Sequence, residues 1–239
     1  MPTEPQAAYI LHTRRFTERS LTASVFTQSA GRMTVWVPGP QVSQSHGLLQ
    51  PFTPLFVNWR GRSSLPTLSL IEGTTAPHAL IGRICYCGFY LNELIQRLTA
   101  PADPQPVLFA HYTQGLAALQ HSDGTNAQLE PILRHFEYHL LAALGTGLLL
   151  SHDCQGQPIV PDAWYDYHPL QGPEPAPTPT TRAFRGETLL ALATHLQPAH
   201  YREARRLMRQ VLDYHLGGKP LRSRELFQTP AHPHHSAAI

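Results

Sequence analysis

The chain has 239 residues, 42% of them hydrophobic, and a net charge of +2 at neutral pH. That is enough for one large or two small domains with real cores. Three cysteines at unrelated positions, Cys85, Cys87 and Cys154, exclude a disulfide framework. No stretch approaches the ~20 apolar residues of a membrane span, and none has the plan of a secretory signal, so the expectation is a soluble cytoplasmic protein.

Charge is spread unevenly. Residues 1–78 hold six basic and three acidic residues, and 201–239 hold seven and three. Between them, 79–150 hold three and five, and 151–200 two and five. Basic ends around an acidic middle point to a polyanionic partner, although a chance spread of surface charge gives the same totals.

Over the first 75 or so residues, five runs alternate as half-buried strands do: 7–13, 20–27, 31–37, 52–59 and 65–72. QSAG, PGPQ and RGRSS separate several of them with turn chemistry. Pro54 and Pro66 fall inside runs, so those strands lie at an edge or begin later. Five short strands fit an OB-type or an SH3-like barrel. Arg14, Arg15 and Arg19 fall between strands one and two, and Arg60 and Arg62 between four and five. These are the loops that flank the nucleic-acid face of an OB-fold, although hairpin loops are also charged simply because they are exposed. Tyr9, Phe16, Phe26, Trp36, Phe52 and Trp59 supply aromatic surface, mostly core, from which an exposed ring could stack a base.

From residue 80 the period becomes helical. Ile84, Leu91, Leu94, Ile95 and Leu98 form one stripe, and Pro101 and Pro104 end it. Leu108, Tyr112, Leu116 and Leu119 mark a helix over about 105–120. Leu129, Ile132, Leu133, Phe136, Leu140 and Leu144 mark another over about 128–144, closed by a Gly-Thr-Gly. Residues 151–182 lose periodicity. With Pro173, Pro175, Pro177 and Pro179 alternating, they read as an irregular, extended Pro-rich insertion. Helix resumes near 186–196 and 199–216. In the last helix Arg202, Arg205, Arg206 and Arg209 recur at i, i+3, i+4 and i+7, placing four guanidinium groups on one face. Gly217 and Gly218 stop it. The segment GGKPLRSRELF (217–227) follows, with Lys219, the only lysine, and Arg222 and Arg224. Residues 231–239 read as a disordered tail.

For metal, His152, Asp153 and Cys154 are adjacent and His232, His234 and His235 cluster near the end. Neither set has the spacing of a structural zinc site, so no metal and no cofactor is expected. There is no G-x-S-x-G, no P-loop and no G-x-G-x-x-G after a strand, which gives little support for an enzyme.

Taken together, ILHTRRFTERSL (10–21), FTQSAGRM (26–33), GLLQPFTPL (47–55), GFYLNEL (88–94), LRHFEYHLLAALGTG (133–147) and GGKPLRSRELF (217–227) resemble the RecO family of bacterial DNA repair proteins over nearly the whole chain. The resemblance implies an α+β protein: an N-terminal OB-fold β-barrel over 1–78, then an α-helical domain over 79–230. It implies a non-catalytic, nucleoid-associated recombination mediator that binds single- and double-stranded DNA and anneals complementary strands. With RecR it would promote RecA loading on single-stranded DNA coated by the single-strand-binding protein SSB. Two departures stand out. The connection 37–47, usually rich in Lys and Arg, has neither. Where many relatives carry a four-cysteine zinc module, only Cys154 remains, so that site is ruled out. The DNA-facing expectation is therefore Arg14, Arg15, Arg19, Arg32, Arg60 and Arg62 on the barrel, with Arg202, Arg205, Arg206, Arg209, Lys219, Arg222 and Arg224 at the other end. Arg134 beside Phe136 and Leu140 is the expected anchor for the acidic, hydrophobic SSB tail, because a terminal carboxylate needs a cation beside an apolar groove. The alternative is a protein–protein adaptor bridging SSB and RecR with little direct DNA binding.

Overall fold

The computed structural model describes residues 4–61 and 63–227; Arg62 and the predicted tail lie outside them. Strands β1 (Gln6–Arg15), β2 (Leu21–Thr27), β3 (Gly31–Val37), β4 (Leu55–Arg60) and β5 (Thr67–Gly73), with a short helix α1 (Gly39–Gln44) after β3, form a closed barrel ordered β1-β2-β3-β5-β4. β4 returns to β1, and the one parallel contact joins β3 to β5 at Trp36 and Thr67. This is the OB-type plan expected from the charged loops. β4 and β5 each begin one residue after a proline, Pro54 and Pro66, which cannot donate to the ladder.

Period two decides what fills the barrel. Ala8, Ile10, Val25, Val35, Val37, Leu55, Val57, Trp59 and Leu68 point inward to one core. The opposite faces of β1 and β2 are covered too. Tyr9, Leu11 and Phe26 enter a second core built by the helices, with Tyr9 edge-on to Tyr112 (5.1 Å) and Phe26 tilted against Phe109 (5.4 Å).

The second core is made by α2 (Arg83–Leu98), α3 (Pro106–Gln120), α4 (Asn126–Ala143), α5 (Gly186–Ala193) and α6 (Tyr201–His215). Their apolar stripes follow the predicted spacing: Leu91, Leu94, Ile95, Leu108, Tyr112, Leu116, Leu119, Phe136 and Leu140 are all fully buried. Pro131 sits inside α4 and removes the N–H that would bond the carbonyl four residues back. That carbonyl, on Ala127, instead accepts the Tyr201 hydroxyl at 3.0 Å.

The expectation of an irregular stretch over 151–182 is corrected. β6 (Trp164–His168), β7 (Gly172–Ala176) and β8 (Phe184–Arg185) form a small antiparallel sheet in the order β7-β6-β8. Its signal was the alternation in Trp-Tyr-Asp-Tyr-His, with Tyr165 and Tyr167 buried. Two of the alternating prolines are compatible with pairing because β7 is an edge strand. Pro173 and Pro175 oppose Tyr167 and Tyr165, and alternation lets their missing N–H groups fall on the outer side.

Barrel and helices are seamed by polar contacts. Asn92 Nδ2 donates to the Leu11 carbonyl (3.0 Å) while its Oδ1 accepts the Tyr112 hydroxyl (2.6 Å). Ser24 Oγ donates to Gln96 Oε1 at 2.5 Å. At the β2–β3 turn, Gly31 has φ +69°, and a Cβ there would meet the Asp103 carbonyl oxygen at 1.9 Å. Only glycine accepts both constraints. Replacing Gly31 with Ala is expected to lower the unfolding free energy by about 2 kcal/mol or more. Urea denaturation followed by circular dichroism checks this.

Candidate nucleic-acid interface

Strand register places one group of predicted arginines. Arg15 pairs with Leu21, Leu21 with Val37, Trp36 with Thr67, and Thr67 with Arg60. Arg14, Arg15 and Arg60 therefore stand along one rim of the barrel, and Arg19 lies in the connection leaving it. All four are exposed and, among the described residues, their side chains have no ion-pair partner. Phe16, in the same loop, is 60% exposed, and Trp36 is half-buried between the two loops. Tyr9, Phe26, Phe52 and Trp59 are buried and unavailable to a base. A cleft of about 650 Å³ opens beside the rim between Arg15, Arg19 and α1. As expected from 37–47, α1 adds no Lys or Arg to it.

Arg32 does not join this group. It lies at the opposite end of β3, where Nε and Nη2 donate to Thr99 Oγ1 (3.3 Å) and the Thr99 carbonyl (2.9 Å) at the end of α2. Burial lowers its pKa. Arg32 is a strut between barrel and helices.

The second arginine group lines a cleft of about 780 Å³ between α2, α4, α6 and the closing 3₁₀ turn Arg222–Phe227. α6 turns Ala204, Leu207, Met208, Val211 and Leu212 into the core. The opposite stripe, Arg202, Arg205, Arg206 and Arg209, faces the cleft, as its spacing predicts. Arg83, Arg134 and Arg224 complete the basic lining, and Tyr86, Leu129, Leu133, Leu226 and Phe227 supply apolar wall. Arg83 and Tyr86, at the start of α2, were not singled out from the sequence. A basic residue three positions before an aromatic on a helix was the available signal.

Acidic residues hold most of these guanidinium groups. Arg205 lies 3.3 Å from Glu130, Arg209 3.7 Å from Asp213, and Arg224 2.5 Å from Asp213. Arg206 donates to the Thr181 carbonyl at 2.6 Å and to the Ala183 carbonyl, lies over the Phe184 ring and reaches Glu203 at 3.6 Å. It fastens β8 to α6. Arg202 is exposed and makes no hydrogen bond or ion pair among the described residues.

The expected tail anchor is corrected in part. Phe136 and Leu140 are fully buried and cannot touch a partner. Their positions on the α4 stripe point into the core. Arg134 sits on the cleft floor, only 4% exposed, donating to Glu137 at 2.6 Å and Glu130 at 3.3 Å. Glu137 also accepts the Tyr90 hydroxyl at 2.6 Å. Burial pushes the Glu137 carboxyl up, and Arg134 with Tyr90 opposes the shift. Nearby, burial pushes the Cys87 thiol up to about 12, which makes it apolar lining rather than a nucleophile.

GGKPLRSRELF is clamped to α2. Glu93 accepts the Arg222 and Ser223 N–H groups and the Ser223 hydroxyl. Arg97 donates to the Pro220 and Lys219 carbonyls, Leu221 is buried, and Phe227 packs edge-on against Tyr86. Lys219 and Arg222 remain exposed; Arg224 turns into the cleft.

An OB-type barrel bolted to an arginine-lined helical unit has close relatives. Residues 1–76 match the family description Recombination protein O N terminal, and 82–225 match Recombination protein O C terminal. The chain belongs to the RecO family. It is 42% identical over 224 residues to DNA repair protein RecO of Pseudomonas paraeruginosa, covering 93% of this chain and 94% of that one. It is 40% identical over 231 residues to DNA repair protein RecO of Halorhodospira halophila, covering 94% and 96%. DNA repair protein RecO of Nitrosococcus oceani is 40% identical over 230 residues, covering 93% and 92%. No helix among the described residues is long and apolar enough to cross a membrane.

In this chain the cleft floor depends on a buried ion pair, which is costly to break from one side. Replacing Glu137 with Leu strands Arg134 beside Glu130 alone and is expected to cost about 3 kcal/mol. Arg134→Met combined with Glu137→Leu should cost less than Glu137→Leu by itself. Urea unfolding of both variants tests the order.

Proposed function

We propose that this protein acts in DNA repair as a recombination mediator without catalytic activity of its own. It binds single- and double-stranded DNA, anneals complementary strands and, with RecR, promotes RecA loading on SSB-coated single-stranded DNA. Membership of the RecO family supports the role, and the observation that carries the DNA contact is the rim. There, four exposed arginines without acidic partners among the described residues flank the exposed ring of Phe16. Guanidinium groups pair bidentately with phosphate oxygens, and an exposed ring can stack a base. Lys219 and Arg222, exposed on the C-terminal segment, are a separate pair of cations that a polyanion could meet. The cleft suits a different ligand. Its arginines alternate with tyrosine, leucine and phenylalanine wall, which fits an acidic peptide with apolar side chains, and the SSB tail is the occupant proposed. Arg202 and Arg205 are its outer cations and Arg134 its floor. An adaptor with little direct DNA binding is the second reading, favoured by the absence of Lys and Arg from 37–47.

Replacing Arg14, Arg15, Arg19 and Arg60 together with Ala is expected to weaken single-stranded DNA binding. It should also flatten the dependence of log affinity on log salt by about 0.7 for each phosphate that is no longer neutralised. Fluorescence anisotropy at several salt concentrations measures both. Unchanged affinity and slope would favour the adaptor. In the same assay with a labelled acidic peptide ending in an apolar residue, Arg202→Ala with Arg205→Ala is expected to weaken binding about 10-fold or more. The rim variant should bind that peptide like the parent.

A further inference from the structure

His111 on α3 and His135 and His139 on α4 converge outside both basic surfaces. One ring nitrogen from each lies within 4.8 Å of the others. The rings are in contact: His111 stacks on His139 with centroids 3.6 Å apart and an angle of 11°. His135 stands across both, at 5.3 Å from His111 and 4.4 Å from His139. The placement follows from the helices. His135 and His139 are four apart, so they share a face, and α3 packs along α4. His111 is the neighbour of the buried Tyr112 and meets that face from the side.

The three imidazoles have no competing use. Among the described residues none makes a hydrogen bond or ion pair, and the buried Nδ1 of His111 has no partner. Burial lowers the pKa of each ring, and the neighbouring rings add to this for His111 and His139. Three neutral imidazoles packed together with unspent lone pairs are an unusual way to fill a helix seam. Buried polar nitrogens without partners destabilise a fold unless something binds them. Neutral imidazole is a common ligand of zinc and its neighbours, and two histidines four apart on a helix are a recurring half-site.

We propose that His111, His135 and His139 bind one divalent transition-metal ion of the zinc, cobalt or nickel type, cross-bracing α3 to α4. Tetrahedral coordination at about 2.0–2.1 Å puts ligand nitrogens about 3.3 Å apart. The nitrogens therefore need to close by no more than about 1.5 Å from the 4.8 Å limit, and the stacked His111 and His139 rings need to turn out of parallel so that their in-plane lone pairs meet at one ion. His135 is exposed, so the fourth position opens to solvent. The site uses none of the cysteines and is separate from the position of the four-cysteine module that this chain lacks.

The test uses the full chain with His232, His234 and His235 changed to Gln, which removes the other histidine cluster near the C-terminus. Titration with Zn²⁺ by calorimetry and with Co²⁺ by visible absorbance is expected to saturate at one ion per chain. The Co²⁺ spectrum should be of the intense tetrahedral kind, and the melting temperature should rise. His135→Gln, at an exposed position that keeps the fold, should weaken Zn²⁺ binding about 10-fold or more. His135→Cys, which keeps a ligand there, should retain one-to-one binding. Absence of saturable binding in the parent would overturn the proposal. So would a His135→Gln variant that binds as tightly as the parent.

Discussion

Both faces of β1 and β2 are covered, and the remainder of the architecture depends on this. In a barrel standing alone, Tyr9, Leu11 and Phe26 would lie on the outside. Here they meet Phe109 and Tyr112, which belong to α3. Burying aromatic rings contributes more per residue than burying any other side chain, and it forces the β1 backbone out of water as well. The Leu11 carbonyl then needs a partner. Asn92 provides it, held by the Tyr112 hydroxyl. The hydrogen bonds of the seam are a consequence of the apolar contact, since buried polar groups without partners are expensive. Arg32 and Gly31 repeat the logic at the other end of the barrel, where the chain of 99–103 lies against the β2–β3 turn.

The two basic surfaces differ in kind. On the rim the arginines stand in solvent and, among the described residues, make no ion pair, with Glu18 the one acid in the same loop, so their field is screened by salt and acts mainly on long, highly charged partners. In the cleft most of the arginines are paired with acidic residues, although the lining stays basic in balance. Glu130 contacts both Arg134 and Arg205, and Asp213 contacts both Arg209 and Arg224. Such pairs hold guanidinium groups in place before any ligand arrives, which lowers the ordering cost of binding. They also reduce the net charge. A ligand there gains from shape and apolar contact as much as from charge.

Much of this was legible in the sequence, because period and punctuation carry it. The barrel strands, the three long helix stripes and the arginine face of α6 all follow from spacing at two or at three and four residues. What was not legible has physical reasons. Pro173 and Pro175 read as irregular because proline ordinarily excludes a strand interior, and an edge position cannot be seen from one strand alone. Phe136 and Leu140 carry the same pattern whether a stripe faces a core or a groove. Arg134 lies near Glu130 and Glu137 at helical spacing, a sign that it pairs within its own helix. The His111 contact depends on how two helices pack, and the four-residue spacing of His135 and His139, though present in the sequence, was not singled out.

GGKPLRSRELF shows how a motif dense in charge can be fixed by packing. Its backbone is tied at both sides of Pro220: Arg97 donates to the Lys219 and Pro220 carbonyls, and Glu93 accepts the Arg222 and Ser223 N–H groups. Leu221 and Ser223 turn inward while Arg222 turns out. Arg224 then reaches back to Asp213 on α6, and Phe227 closes the cleft against Tyr86. Arg224, Leu226 and Phe227 therefore serve the wall of the cleft, and of its three cations only Lys219 and Arg222 are left free to meet a polyanion. The segment's composition reflects the work of joining α6 to α2, and its exposed charge is what that work leaves over.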